Sequence, residues 1–406
     1  MNYKQLESIV SEGNPQICLF GAGDIGKSIG YYFISGCGIH IDFYADNAKE
    51  AGCEIMPGIF TIDLQNLYAL KENVVVFITV DRRHHKSIEE QLISNGITKI
   101  IKFDIKFRND ILISVANAKD KNVMQRYNNV LDDYEWMKHR HTYYSDEKID
   151  IEQPKTFNEK IQWLKLNYRN DTYTHLVDKY DVKDYVAKII GEKYVIPTLG
   201  VWEHYDDIKF DELPNQFVLK CTHDSGSTKI IFDKSQINHN ELREEMEHKL
   251  SLNYYWIGSR EWPYKNVIPR IIAEPYLVDE SGYELKDYKV FSFNGIPRLI
   301  QVDWGRFAEH KRNLYDTEWN YIDLQIKYPT DSTHHIEKPD VLDELLHISK
   351  ILSKGMPFVR LDFYIIEKQI KFGEFTFFHG GGSEKITPEE WRRTMGEWIE
   401  LPNKRI

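Results

Sequence analysis

The sequence predicts an α/β domain followed by a larger α+β domain. Three observations carry this reading. Short, continuously apolar runs alternate with helical stretches over residues 1–107. A capping pair, Thr156 and Glu159, opens a helical part where that alternation has ended. Beyond it strands follow one another directly and helices are segregated, which is the grammar of an α+β fold.

The chain has 406 residues, 42% hydrophobic and 28% charged, which excludes disorder as the main state and implies two or three domains. A net charge of −11 disfavours nucleic-acid binding through bulk charge. Cysteines stand at 18, 37, 53 and 221 with no CxxC pair, so neither a disulfide framework nor a zinc knuckle is expected. The longest apolar runs, such as Val74 to Val80, are strand-sized and too short to cross a bilayer. The opening MNYKQLESIVSEGNPQ lacks the layout of a secretory signal. The expected compartment is the cytoplasm, without membrane insertion.

In the first domain, QICLF (16–20) reads as a strand, DIGKSIGYYFIS (24–35) as a helix and IHIDFYA (39–45) as a second strand. VVVFITV (74–80) and ITKIIKF (97–103) add two more, and continuous apolar runs separated by helices imply a parallel sheet. Gly21, Gly23 and Gly26 form GxGxxG between the first strand and the first helix, and Asp46 follows Gly26 by 20 residues. That context predicts a Rossmann-like domain, with pyrophosphate at the helix N-terminus and a ribose at Asp46. Two ligands fit, NAD or a nucleotide-sugar. The alternative is a domain that packs or forms a homo-oligomer without redox chemistry. No Tyr-x-x-x-Lys pair lies in the first 110 residues, which argues against a short-chain dehydrogenase. The domain resembles small Rossmann-like domains attached to sugar-modifying enzymes. The charged stretch within 108–150 reads as a helical connection.

In the second domain (151–406), Phe157, Ile161, Leu164 and Tyr168 follow the capping box at helical spacing. QFVLKC, TKIIFD, RIIAEPYLV, YKVFSFNG and PRLIQVDW read as strands, helix returns near 340–353, and Thr387, Pro388 and Glu390 cap a last helix.

FVRLDFYIIEKQIKFGEFTFF (358–378) reads as a hairpin. A three-residue turn, Glu367 to Gln369, sets Ile366 opposite Ile370, Asp362 opposite Glu374 and Arg360 opposite Thr376. Directly paired residues share a face, so these four polar groups point one way, while Val359, Leu361, Phe363, Phe375 and Phe377 point into a core. Two carboxylates ~5 Å apart at an effective dielectric of ~20 repel by roughly 3 kcal/mol. A bound cation reverses that sign, and oxygen donors favour Mg²⁺ over zinc. Arg360 then offers a fork to phosphate. The alternative is a surface hairpin in which Arg360 neutralises one acid.

Lys220 ends a strand before the loop His223, Asp224, Ser225, Gly226 and Ser227, whose N–H groups suit a triphosphate, though an ordinary hairpin reads the same way. Pro275 interrupts the strand around Glu274 and Tyr276, as at an edge or hinge. Asp287 and Lys289 precede an Asn-Gly turn. Arg306, His310, Lys311, Arg312 and Asn313 form either a solvated basic face or an anion clamp.

Taken in order, these segments resemble an ATP-grasp ligase, most closely the TupA-like group named for teichuronopeptide biosynthesis. PKTFNEKIQWLKL (154–166), DKYDVKDYV (178–186), FVLKC, IIAEPYL, DYKVFSFNG and FVRLDFY carry the match, over roughly residues 120–400. The resemblance implies ATP held between two α+β subdomains. Lys179 and Lys220 would bind phosphates, with Ser225, Gly226 and Ser227 in the covering loop. Glu274, Pro275, Tyr276 and Leu277 would line the adenine, and Asp287 would sit near the ribose with Lys289 beyond it. Asp362 and Glu374 would hold Mg²⁺. Thr376 stands where many such enzymes have Asn.

The expected activity is ATP-dependent carboxylate–amine ligation through an acyl phosphate. Arg360 would stabilise the transferring phosphoryl group, and Arg306 and Arg312 would hold the acceptor carboxylate or acyl phosphate. The first domain suggests sugar-linked substrates, with a uronic acid receiving an amino acid or amine in capsule or cell-wall polysaccharide synthesis. The rival readings are an NAD-dependent oxidoreductase, a glycosyltransferase and a non-catalytic glycan-binding protein.

Overall fold

The computed structural model describes residues 3–23, 26–27, 29–30, 33, 39–103, 133–134, 137, 149–257, 259–279, 285–304 and 311–404. The chain divides into two compact units, Met1–Glu147 and Lys148–Ile406. The expected helical connection lies mostly outside the described residues.

In the first unit, β1 (Gln16–Phe20), β2 (Phe43–Ala45), β3 (Val74–Ile78) and β4 (Ile100–Lys102) form a parallel sheet in the order β2-β1-β3-β4. Its core gathers Cys18, Phe20, Val76 and Ile78 with Ile88 and Leu92 of the helix His85–Ser94. The second strand is shorter than the run 39–45 suggests. There the Asp42 amide donates to the Ile17 carbonyl at 3.0 Å, while the Ile17 amide is taken by the Asp42 side chain at 2.7 Å.

In the second unit, α1 (Phe157–Asn167) opens with the predicted reciprocal capping box of Thr156 and Glu159. Helix α2 (Asp181–Ile190) follows. A four-stranded antiparallel sheet then has the order β5 (Gly200–Trp202), β8 (Ile271–Pro275), β6 (Phe217–Cys221), β7 (Lys229–Ile231), backed by α3 (His239–Leu250). The strand carrying Pro275 is therefore an inner strand, not an edge. Pro275 is its last residue, where a missing N–H costs the ladder little.

The larger sheet has six strands: β12 (Tyr321–Ile322), β11 (Lys311–Tyr315), β10 (Ile296–Trp304), β9 (Asp287–Phe293), β13 (Phe358–Ile366) and β14 (Gln369–Thr376). Val359, Leu361, Phe363, Phe375 and Phe377 are all buried, as the alternation predicts. The final helix, Glu390–Glu397, has Glu389 as its N-cap with no side-chain capping bond. The cap expected at Thr387 is absent because Thr387 is engaged in a short strand.

Candidate active site

The β13–β14 hairpin pairs Asp362 with Glu374 and Arg360 with Thr376, as expected, by a different route. The turn has two residues, Glu367 and Lys368, both at positive φ (49° and 63°), and Ile366 pairs with Gln369. This offsets the pairing by one. A bulge between Asp362 and Phe363, with Gly373 as the extra residue, restores it. The two departures cancel at the acids.

One guanidinium answers both carboxylates. Arg360 Nε donates to Asp362 Oδ1 at 2.6 Å and an η nitrogen donates to Oδ2 at 2.7 Å. That same nitrogen lies 3.2 Å from Glu374 Oε1. The other η nitrogen donates to His379 Nδ1 at 2.9 Å. Thr376 donates to Glu374 at 3.4 Å. Burial disfavours the charged form of Asp362, but the charges of Arg360 and Lys289 outweigh it and hold the carboxyl below its usual range. Burial and the charges of Arg360, Arg312 and Lys289 push His379 well below the usual histidine value.

The same sheet extends the polar face. Lys289, paired with Asp362 across β9 and β13, lies 3.2 Å from Asp287, 3.6 Å from Asp303 and 3.2 Å from Asp362. Arg312 meets Asp303 through Nε at 2.7 Å and an η nitrogen at 3.2 Å, and donates to the Ile326 carbonyl at 2.8 Å. The structure thus directs Arg312 to Asp303, where an anion clamp had been expected. Arg306 and His310 lie outside the described residues.

The smaller sheet supplies the lysines. Lys220 on β6 and Lys183 on α2 each stand 2.6 Å from a different oxygen of Glu274 on β8. Burial opposes ionisation of Glu274, yet these two ammonium groups lower its pKa. The Glu274 side chain is therefore a counter-ion for lysines. Tyr276, just past the strand, packs edge-on against Phe232, and Leu277 beside it is half-buried.

Lys179 donates to the carbonyls of Cys221 and Asp224, bracing the base of the loop from inside. Ser227 accepts from the Cys221 amide and donates to Asp224, closing that loop, while Ser225 and Gly226 (φ +87°) form its exposed tip. Glu374 acts electrostatically on Lys179, Tyr254 and Tyr264, so the second hairpin acid faces the lysine side of the same unit.

Two participants were missed in the sequence. Lys183 follows Lys179 by four residues, in the first turn of the helix that begins just after Lys179, a proximity that is the one signal the sequence offered. His379 directly follows GEFTFF and carried no signal beyond that adjacency.

In the first unit, Gly21 (φ +121°) and Gly26 are required by packing: a Cβ on Gly26 would lie 1.7 Å from the Gly21 carbonyl oxygen. A Cβ on Gly23 would meet nothing within 4 Å. Asp46 accepts from the Ala22 and Ala48 amides at 2.7 and 2.8 Å, so both its oxygens hold backbone where a ribose contact had been expected.

The second unit thus joins a small antiparallel sheet bearing phosphate-compatible lysines and a small-residue loop to a larger sheet bearing a facing acid pair. These features define the ATP-grasp class of nucleotide-using ligases. A family model described as TupA-like ATPgrasp matches residues 159–400, more than half of the chain. The chain belongs to the TupA-like ATP-grasp family and is an ATP-dependent, ADP-forming ligase. No curated protein matches it. Similar solved structures include the D-alanine–D-alanine ligase of Helicobacter pylori, at 15% identity over 60% of this chain and 69% of that one, with TM-score 0.31. The Bacillus anthracis D-alanine–D-alanine ligase complexed with ATP has 12% identity over 90% and 86%, with TM-score 0.31. The Thermotoga maritima phosphoribosylamine–glycine ligase has 11% identity over 89% and 68%, with TM-score 0.31. The family assignment rests on the sequence match over residues 159–400.

ATP-grasp enzymes use ATP and Mg²⁺, and the donor set fits the ion: two carboxylates on one face with a hydroxyl beside the second. No group of three His, Cys, Asp or Glu side chains among the described residues forms a metal cluster. Mg²⁺ commonly takes one or two carboxylates plus substrate phosphates, so this partial set suffices. No helix among the described residues is long and apolar enough to cross a membrane.

Proposed function

We propose that the protein joins a uronic acid, carried on a nucleotide-sugar or glycan, to an amino acid or amine, decorating a capsule or cell-wall polysaccharide in the cytoplasm. The supporting observation is the placement of the Asp362–Glu374 pair within electrostatic range of the lysine-braced loop. Lys220 and Lys183 turn from Glu274 to the phosphates of ATP. Asp287 takes the ribose side, and the backbone after Glu274 lines the adenine. Asp362 and Glu374, with Thr376 beside them, hold Mg²⁺, which neutralises phosphate charge when bound.

The substrate carboxylate attacks the γ-phosphorus, forming an acyl phosphate and releasing ADP. The amine then attacks the acyl carbon, and phosphate departs with the C–O bond. Lys289 and Arg360 place positive charge beside the transferring group, the kind of preorganised stabilisation that dominates such catalysis. Arg306 is assigned to the acceptor carboxylate, and Arg312 supports it from the Asp303 pair.

The Rossmann-like first unit is the nucleotide-sugar module. Open space over Gly23 suits a phosphate, and the engagement of Asp46 with backbone weighs against NAD. The test is an ADP-release screen of UDP-glucuronate and other uronic-acid donors against amine pools. ADP and phosphate are expected in equal amounts, only when both substrates are present. Release of AMP and pyrophosphate would sink the reading.

A further inference from the structure

Arg360 makes contacts that any cation at the acid pair would have to share. Its guanidinium takes both oxygens of Asp362 and reaches Oε1 of Glu374, and Lys289 adds a second positive charge 3.2 Å from Asp362 Oδ2. Asp362 is buried, so these contacts are poorly screened. The charges of the polar face nearly balance without any ion. Asp287, Asp303, Asp362 and Glu374 face Lys289, Arg312 and Arg360. A lone divalent cation would overshoot, whereas one arriving with a nucleotide brings its own negative charge.

The far side of Arg360 is also built. His379 is buried, and its Nδ1 accepts from the η nitrogen that does not touch the acids. The ring proton therefore resides on Nε2, which lies 3.4 Å from Glu384 Oε2. Phe291 packs edge-on against the ring at 4.9 Å.

We propose that Arg360 is a built-in counter-cation of the Asp362–Glu374 pair, which a divalent cation must displace, and that His379 is a positioning residue that retains the displaced guanidinium. Divalent cation then binds only with nucleotide, and the positive charge stays beside the phosphoryl group instead of leaving the site. This rests on the assignment of the two acids as Mg²⁺ ligands.

The test uses the full chain with Mn²⁺ as the probe, read by the loss of the free-ion electron paramagnetic resonance signal. Without nucleotide, Arg360→Met is expected to bind Mn²⁺ at least tenfold more tightly than the unaltered protein, and Arg360→Lys to fall between them. The lysine variant keeps a charge at the pair and guards against misfolding of the methionine variant. With a non-hydrolysable ATP analogue, His379→Ala is expected to weaken Mn²⁺ binding and His379→Asn to restore it. His379→Ala should have no effect when Arg360 is already methionine, a coupling that a merely structural role would not produce. Equal Mn²⁺ affinity of Arg360→Met, Arg360→Lys and the unaltered protein overturns the proposal, provided that Asp362→Asn abolishes binding of Mn²⁺ with the analogue. Undiminished binding in Asp362→Asn instead overturns the ligand assignment beneath it.

Discussion

Lys183 places its ammonium 2.6 Å from one oxygen of Glu274, and Lys220 occupies the other oxygen at the same distance. Two cations on one buried carboxylate are more than neutrality needs, so the cluster carries spare positive charge for phosphates. Lys183→Met should weaken ATP binding at least tenfold while the fold persists, since Lys220 still pairs Glu274. Titration with a fluorescent ATP analogue measures this, and an unchanged affinity would remove Lys183 from the nucleotide site.

The same cluster fixes a pH response. The folded-state pKa of Glu274 is lowered, so its contribution is present above the unfolded glutamate value and is lost as pH falls through the folded one. Unfolded glutamate titrates near about 4.3. Glu274→Gln should therefore be less stable than the unaltered protein at pH 7, with the gap closing below about pH 4. Urea unfolding at pH 7, 5 and 3.5 checks the sign; a gap that widens in acid contradicts the pairing.

At the hairpin, Asp362→Asn and Glu374→Gln remove charge with little change in volume. Turnover should fall by two orders of magnitude or more in each, since losing one preorganised electrostatic group costs roughly 2.7–4 kcal/mol. Near-normal turnover in Asp362→Asn, once a substrate pair is known, would remove the acids from catalysis.

The site was legible where side-chain period and chain order decide the outcome. Alternation of Leu361, Phe363, Phe375 and Phe377 with polar neighbours fixes which face Asp362 and Glu374 share, whatever the turn. The turn itself was not legible, because Glu367-Lys368 lacks the Asn-Gly signature that marks Asn294-Gly295 between β9 and β10. Nor was the partner of Arg312: an arginine in a basic run reads as an anion clamp until the register brings Asp303 opposite it. Lys183 escaped because its partner, Glu274, is brought to it only by the fold. For Asp46, spacing alone could not reveal that the Ala22 and Ala48 amides take both oxygens.

The glycine fingerprint of the first unit separates into two kinds of position. Gly26→Ala should destabilise that unit, because its Cβ would collide with the Gly21 carbonyl. Gly23→Val places its Cβ in open space and should leave the melting temperature of the unit within a few degrees. It should weaken binding of UDP-sugars to the protein, read by calorimetry, without altering ATP affinity. Equal damage from both substitutions would mean that Gly23 serves packing as well.

The two-residue turn of the hairpin offers a test independent of the chemistry. Glu367 and Lys368 both sit at positive φ, where a side chain costs ~1–2 kcal/mol per residue relative to the right-handed region. Asn-Gly adopts such a turn far more readily. Lys368 also pairs with Asp340 at 2.6 Å, but both side chains are exposed, and solvent screening leaves such pairs little weight. Strain relief thus exceeds the lost ion pair. Glu367→Asn with Lys368→Gly should stabilise the second unit by about 1 kcal/mol, a rise in melting temperature of about 2–4 °C for a unit of this size. Turnover should be unaffected, because the bulge at Gly373 resets the register before the acids are reached. A lower melting temperature would show that the Lys368–Asp340 pair outweighs the strain.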